Sequence, residues 1–216
     1  MGRHADSGDE RVIRSVSEDN LPVNPQRILR LDWKSRHRRL QTASRSHSSP
    51  TMIEFCKIDS SSNAIHLSTE LWVPQPVEQT FEFFADASNL EAITPPWLRF
   101  RIVTPQPVKM AQGTLIDYSL RLHGIPIRWR TEISVWSPPF SFIDRQLHGP
   151  YHLWEHTHTF EARDGGTVVR DDVDYLARGG RLVERLFVRP DLRRIFEYRN
   201  RRFGRLLRQE DVSDGD

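Results

Sequence analysis

The sequence is short of sulfur and of long apolar runs. Cys56 is the one cysteine among 216 residues, so no intrachain disulfide framework and no cysteine-based zinc module can form. No stretch is apolar for the length a bilayer core demands, and no uncharged apolar segment follows the basic N-terminus as in a secretory leader. A soluble, cytoplasmic protein is expected. A large charge of one sign is also missing. The formal net charge is +2, which is not the polycation that phosphate contacts along a nucleic acid would select, so no specific nucleic-acid partner is expected. Absent as well are a G-x-S-x-G elbow and a glycine-rich phosphate loop, which removes the commonest nucleophile and nucleotide signatures.

With 37% hydrophobic residues the chain can bury one ordinary core. The apolar residues are not spread evenly. Residues 1–60 are charged and serine-rich, and a segment of that kind buries too little surface to offset its ordering entropy. We read them as a disordered basic tail, and residues 209–216 as a disordered acidic one. Within the first tail, "RILRLDWKSRHRRL" has the composition of a short basic helix, open to a nucleic acid, an acidic membrane or plain solvation.

From residue 64 the pattern sharpens. "IHLSTELWV" (65–73) alternates as a strand, and "PQPVEQTFEFFAD" (74–86) switches to helical spacing, with Val77, Phe81, Phe84 and Ala85 on one stripe. Ser88 stands three residues before Glu91, the spacing of a capping box, and predicts a second short helix that Pro95-Pro96 ends. Six strands are then predicted over 98–104, 113–122, 125–136, 140–147, 149–162 and 167–177, joined by connections short enough for an antiparallel meander. On the third of these, Ile127, Trp129, Thr131, Ile133 and Val135 should share one face. Beyond Gly179-Gly180, residues 181–207 predict a long helix that Pro190 kinks or restarts, with Leu192, Ile195, Phe196, Arg199, Phe203 and Leu206 at helical spacing. Its other face is rich in arginine, with Glu184, Asp191 and Glu197 placed to pair along it. That face reads either as a solvated helix back or as a peripheral contact with an anionic membrane.

"VPQPVEQTFEFFADASNLEAITPPWLRF", "GTLIDYSLRLHGIPIRWRTEI", "GPYHLWEHTHTFE" and "LFVRPDLRRIFEYRNRRF" together resemble the START/Bet v 1-like (SRPBCC) superfamily, and most of all its bacterial ligand-binding, polyketide cyclase-like group. The resemblance covers about residues 64–208. It implies an α+β helix-grip fold: an antiparallel sheet of about seven strands wrapped around a long C-terminal helix, with two short helices after the first strand. It also implies an apolar cavity between sheet and helix, and it implies no single reaction, because the superfamily holds carriers, receptors and enzymes.

The strand "GPYHLWEHTHTFEA" carries the chemistry that remains. His152, Trp154, His156, His158 and Phe160 are an even number of positions apart and should share one face. The set is not a cupin motif: Gly149 lies too far from His156, Glu161 follows too soon, and no second motif stands downstream. Neither a metal nor another cofactor is expected. Acid/base use of His156 or His158 requires a carboxylate on the second ring nitrogen. Asp144 on the preceding strand and Asp171 or Asp172 on the following one are within one strand spacing. Candidate cavity residues are Ile127, Trp129, Ile133 and Tyr118 from the middle strands, Trp154, Phe160 and Tyr175 from the last two, and Phe196 from the helix. Three readings stay open: binding of a small apolar, lipid-like or polyketide-like molecule, a cyclase/dehydratase using a pocket histidine with an aspartate, and an interaction module working through the basic tail.

Overall fold

The computed structural model describes residues 53–59 and 62–210, with side chains as far as Leu206. The described residues begin with β1 (Ile53–Lys57) and β2 (Ile65–Val73), an antiparallel pair in the register Phe55↔Leu67. β1 lies inside the segment expected to be tail. Its five residues, Ile-Glu-Phe-Cys-Lys, are too few for periodicity to stand out among flanking serines, and they take their structure from the edge that β2 offers. Of the expected tails, residues 1–52, 60 and 211–216 lie outside the described residues, while residues 209–210 belong to the C-terminal helix.

Two short helices follow, α1 (Val77–Ala85) and α2 (Ser88–Ile93). In α1, Val77, Thr80 and Phe81 face inward, with Phe84 beside them. The predicted capping box does not form. The Asp86 carboxylate instead accepts from the Ser88 N–H at 2.9 Å and the Ser88 hydroxyl at 2.7 Å. Glu91 is thereby free to accept from the Ile102 N–H at 2.8 Å, which ties α2 to the sheet edge. The strand expected over 98–104 shrinks to β3 (Arg101–Ile102), because Pro96–Leu98 forms a single 3-10 turn and Arg99 leaves it at φ 45°.

β4 (Leu115–Leu122), β5 (Ile125–Ser137), β6 (Ser141–His148), β7 (Tyr151–Arg163) and β8 (Gly166–Ala177) then run as successive hairpins. β8 returns to pair with β2, giving one eight-stranded antiparallel sheet in the order β1-β2-β8-β7-β6-β5-β4-β3. The face alternation on β5 holds from Ile127 to Ile133 and then fails. A register shift between Ile133 and Val135 leaves Val135 exposed and turns Trp136 onto Phe81.

The described residues end with α3 (Gly180–Val183), a π-type turn at Glu184–Val188, and α4 (Arg189–Glu210). The helical run continues unbroken through Arg189, and Pro190, the second residue of α4, comes just after the π-type turn, so it neither ends nor restarts the helix. The apolar stripe of α4 is buried through Leu192, Phe196 and Phe203 against the sheet, the helix-grip α+β arrangement. Of the acidic residues expected to pair along the arginine face, Glu184 does so with Arg189, whereas Asp191 turns to a histidine instead. Glu184 is buried under the π-type turn, where Tyr175 and Arg189 hold it, and Asp191 meets His123 at 2.6 Å. Two apolar clusters make the core. One gathers around Phe81, Phe142, Phe160 and Phe203, the other around Leu67, Trp129, Trp154 and Phe196.

Candidate functional site

Between the clusters lies a cavity of about 170 Å³, walled by the inner face of β4–β7, by α2 and by the apolar stripe of α4. Trp129, Trp154, Ile133, Tyr118 and Phe196 line it as the sequence led us to expect. Ile127, Phe160 and Tyr175 do not. Ile127 packs half-buried at the edge of the second cluster, Phe160 sits between Phe81 and Phe142, and Tyr175 is turned under the closing helix to Glu184. Arg199 also reaches the lining. Its signal was in the sequence, as the one charge on an otherwise apolar helical stripe.

β7 places the histidines, though not all on one side. A register shift between Tyr151 and Leu153 puts an extra residue into β7, so Tyr151 and Trp154 both point inward. His152, expected on the histidine face, is exposed. From Trp154 on, strict alternation brings His156 and His158 to the cavity wall, each with 3% side-chain exposure. Phe142 stacks on the His158 ring at 4.1 Å, and Phe196 meets the His156 ring at 5.7 Å, so both imidazoles are held by packing.

Two carboxylates flank them. Asp144 on β6 stands opposite His156 in register, and Asp171 on β8 stands opposite His158. Asp144 Oδ2 lies 3.5 Å from His156 Nδ1 and 3.2 Å from His158 Nε2. On the far side, Asp171 Oδ1 lies 3.0 Å from His156 Nε2 and 2.8 Å from His158 Nδ1. That last approach is close in distance but off the line of a hydrogen bond, and it leaves the buried His158 Nδ1 without one among the described residues. Asp171 faces the rings rather than the cavity. Asp172, the alternative partner, points to the other side of the sheet, where it meets His66 at 3.2 Å.

Burial and charge set the protonation of this square. Burial and the neighbouring His158 push the His156 imidazole down toward its neutral form. Burial also opposes charge on His158, but the Asp144 and Asp171 carboxylates outweigh it and raise that ring's pKa. Burial alone would raise both carboxyls. The two histidines hold Asp171 well below the usual carboxylate range, and the histidines with Arg199 hold Asp144 below it. The half-buried Asp144 and the buried Asp171 carboxylates thus face two imidazoles, with the Arg199 guanidinium near Asp144. The arrangement can bind a polar group, move a proton, or offer imidazole and carboxylate donors to a cation: Asp144, His156 and His158 each present one donor atom within 4.8 Å of the others.

Known structures share this fold. Protein Ms6760 from Mycobacterium smegmatis superimposes with a TM-score of 0.55 at 17% identity, covering 74% of this chain and 99% of its own. Ara h 8.0201 gives 0.52 at 15% identity over 68% of this chain and 99% of its own. Ginseng major latex-like protein 151 from Panax ginseng gives 0.53 at 11% identity over 68% and 99%. At such identities the likeness concerns the fold. No curated protein matches the sequence. Residues 73–203 match the family described as "Polyketide cyclase / dehydrase and lipid transport". That match runs from the end of β2 into α4, encloses every cavity residue named above and spans more than half of the chain, which therefore belongs to this polyketide cyclase/dehydrase and lipid transport family.

Proposed function

We propose that the protein binds a small apolar molecule, aromatic or lipid-like with one polar end, in the cavity between the sheet and α4. The observation that carries this is the cavity itself, whose wall is aromatic and aliphatic except for a few polar groups, chiefly Asp144, His156, His158, Tyr118 and Arg199. Sites of that composition hold ligands by apolar burial and orient them by a few polar contacts. Trp129 adds a specific one. Its indole N–H is buried without a partner among the described residues, and an acceptor atom on the ligand would satisfy it. Size narrows the class. A dry cavity of about 150 Å³ holds a benzene ring, so about 170 Å³ suits one or two rings or a short chain, and a larger guest requires the lining to move.

Native mass spectrometry of the protein purified gently from cells, followed by extraction of what it carries, tests the reading. A stoichiometric apolar molecule supports it. An empty protein that also fails to bind any member of a panel of one- and two-ring aromatics and short lipids rules it out.

A second reading is favoured by the paired His156–Asp171 and His158–Asp144 contacts: a cyclase/dehydratase-type enzyme in which a cavity histidine, positioned by a carboxylate, moves a proton of the bound molecule. Turnover of the extracted ligand class that disappears in folded His156→Gln and His158→Gln variants is expected on this reading. Turnover unchanged in both removes it.

A further inference from the structure

We infer that Asp144, His156 and His158 form a binding site for one divalent first-row transition-metal ion, opening onto the cavity. The two rings present one nitrogen each toward a single oxygen: His156 Nδ1 is 3.5 Å and His158 Nε2 is 3.2 Å from Asp144 Oδ2. Metal–ligand bonds of roughly 2.1 Å in a tetrahedral shell separate neighbouring donors by about 3.4 Å, so these two gaps fit ligands around one ion, and all three donor atoms lie within 4.8 Å of one another. Two imidazoles and one carboxylate are a donor set for zinc or iron(II) rather than for calcium or magnesium. All three residues line the cavity, so the remaining coordination positions face the bound molecule or water.

The opposite side of the rings carries the second observation. Both remaining nitrogens, His156 Nε2 and His158 Nδ1, face Asp171 Oδ1 at 3.0 and 2.8 Å. A metal-bound histidine commonly gives its other N–H to a carboxylate, which fixes the tautomer and strengthens the ligand. Here the buried Asp171 carboxylate takes that hydrogen bond from His156 and stands beside His158 Nδ1, off the line of one. A dication also matches the formal charge of the Asp144 and Asp171 carboxylates on either side of the rings. Single-strand spacing excluded a cupin-like set, but the third donor comes from the neighbouring strand β6, whose register with β7 a sequence motif does not encode. The site does not depend on which apolar molecule fills the cavity.

The test is titration of the full-length, chelator-treated protein with cobalt(II) and with zinc alone. One ion per chain is expected, with visible ligand-field bands from cobalt(II) that zinc abolishes. His158→Ala and Asp144→Asn should weaken binding by more than about 100-fold and Asp171→Asn by about 10- to 100-fold. His152→Ala and His66→Gln, outside the cavity, should leave it unchanged. Should the cluster variants fail to fold, the imidazole nitrogen resonances of the wild-type protein decide: zinc must shift those of His156 and His158. No ligand-field bands, binding that survives in a folded His158→Ala variant, loss of binding in His152→Ala, or unshifted His156 and His158 resonances would each overturn the assignment.

Discussion

The Tyr175 hydroxyl donates a 2.9 Å hydrogen bond to Glu184 beneath the π-type turn that leads into α4, and Arg189 holds the same carboxylate at 2.9 and 3.1 Å. Tyr175 is fully buried and Glu184 nearly so, while Arg189 retains 36% side-chain exposure. The network anchors the start of the helix that roofs the cavity. Glu184→Ala leaves the phenol without an acceptor, whereas the arginine can rehydrate. We expect a loss of about 2–3 kcal/mol, with about 1–2 kcal/mol for Tyr175→Phe. Urea unfolding of both variants checks this, and a Glu184→Ala variant as stable as wild type would show that the helix start is held by apolar contacts alone.

His66, on the outer side of the sheet, lies 2.7 Å from Asp174 and 3.2 Å from Asp172. Partial burial disfavours its charge, but hydrogen bonds to Asp172 and Asp174 and their charges prevail and push its pKa up to about 10. The folded value is above the unfolded one of about 6.5. His66 therefore contributes its full stabilisation below about pH 6.5 and loses it as pH rises toward 10. The stability gap between wild type and His66→Gln should be widest near pH 6 and close by about pH 10. A gap that is constant with pH over that range would mean the imidazole acts as a neutral hydrogen-bonding group.

Much of this architecture is legible in the sequence, and the exceptions share one cause. β2 and the hairpins from β4 to β8 follow from alternation and turn residues, and the buried stripe of α4 from helical spacing. His152, Val135 and the short β1 do not, because a bulge or an added edge strand depends on the partner strand rather than on local pattern. Local spacing likewise suggested the Ser88–Glu91 capping box, but Asp86 and the Ile102 amide compete for the same side chains. At the site, the histidines and both aspartates could be named from one-strand proximity. Which of Asp171 and Asp172 turns inward could not be, since both faces of β8 carry polar and apolar residues.

Ile133 lies on the cavity wall with 1% exposure. Ile133→Phe pushes additional ring volume into the cavity instead of into packed atoms. The melting temperature should change little, since overpacking costs of about 1–3 kcal/mol arise where there is no space to receive the new atoms. Affinity for a two-ring probe such as naphthalene should fall at least about tenfold, the equivalent of about 1.4 kcal/mol. Equilibrium dialysis measures it. Unaltered affinity would place the probe elsewhere on the protein.

Asn200, on the inner side of α4, donates through Nδ2 to the Thr69 hydroxyl on β2 at 2.8 Å, with both residues under 9% exposed. This buried polar contact sets the helix against the sheet beside the apolar packing of Phe196 and Phe203. Asn200→Ala strands the threonine hydroxyl and should cost about 1–3 kcal/mol. Thr69→Val keeps shape but strands the amide, at a similar cost. With both changes no donor or acceptor is left unmet, so the double variant should be less destabilised than the sum of the singles by about 0.5–3 kcal/mol. Strict additivity would mean that each group finds another partner when its neighbour is removed, and that the placement of α4 over the cavity does not rest on this contact.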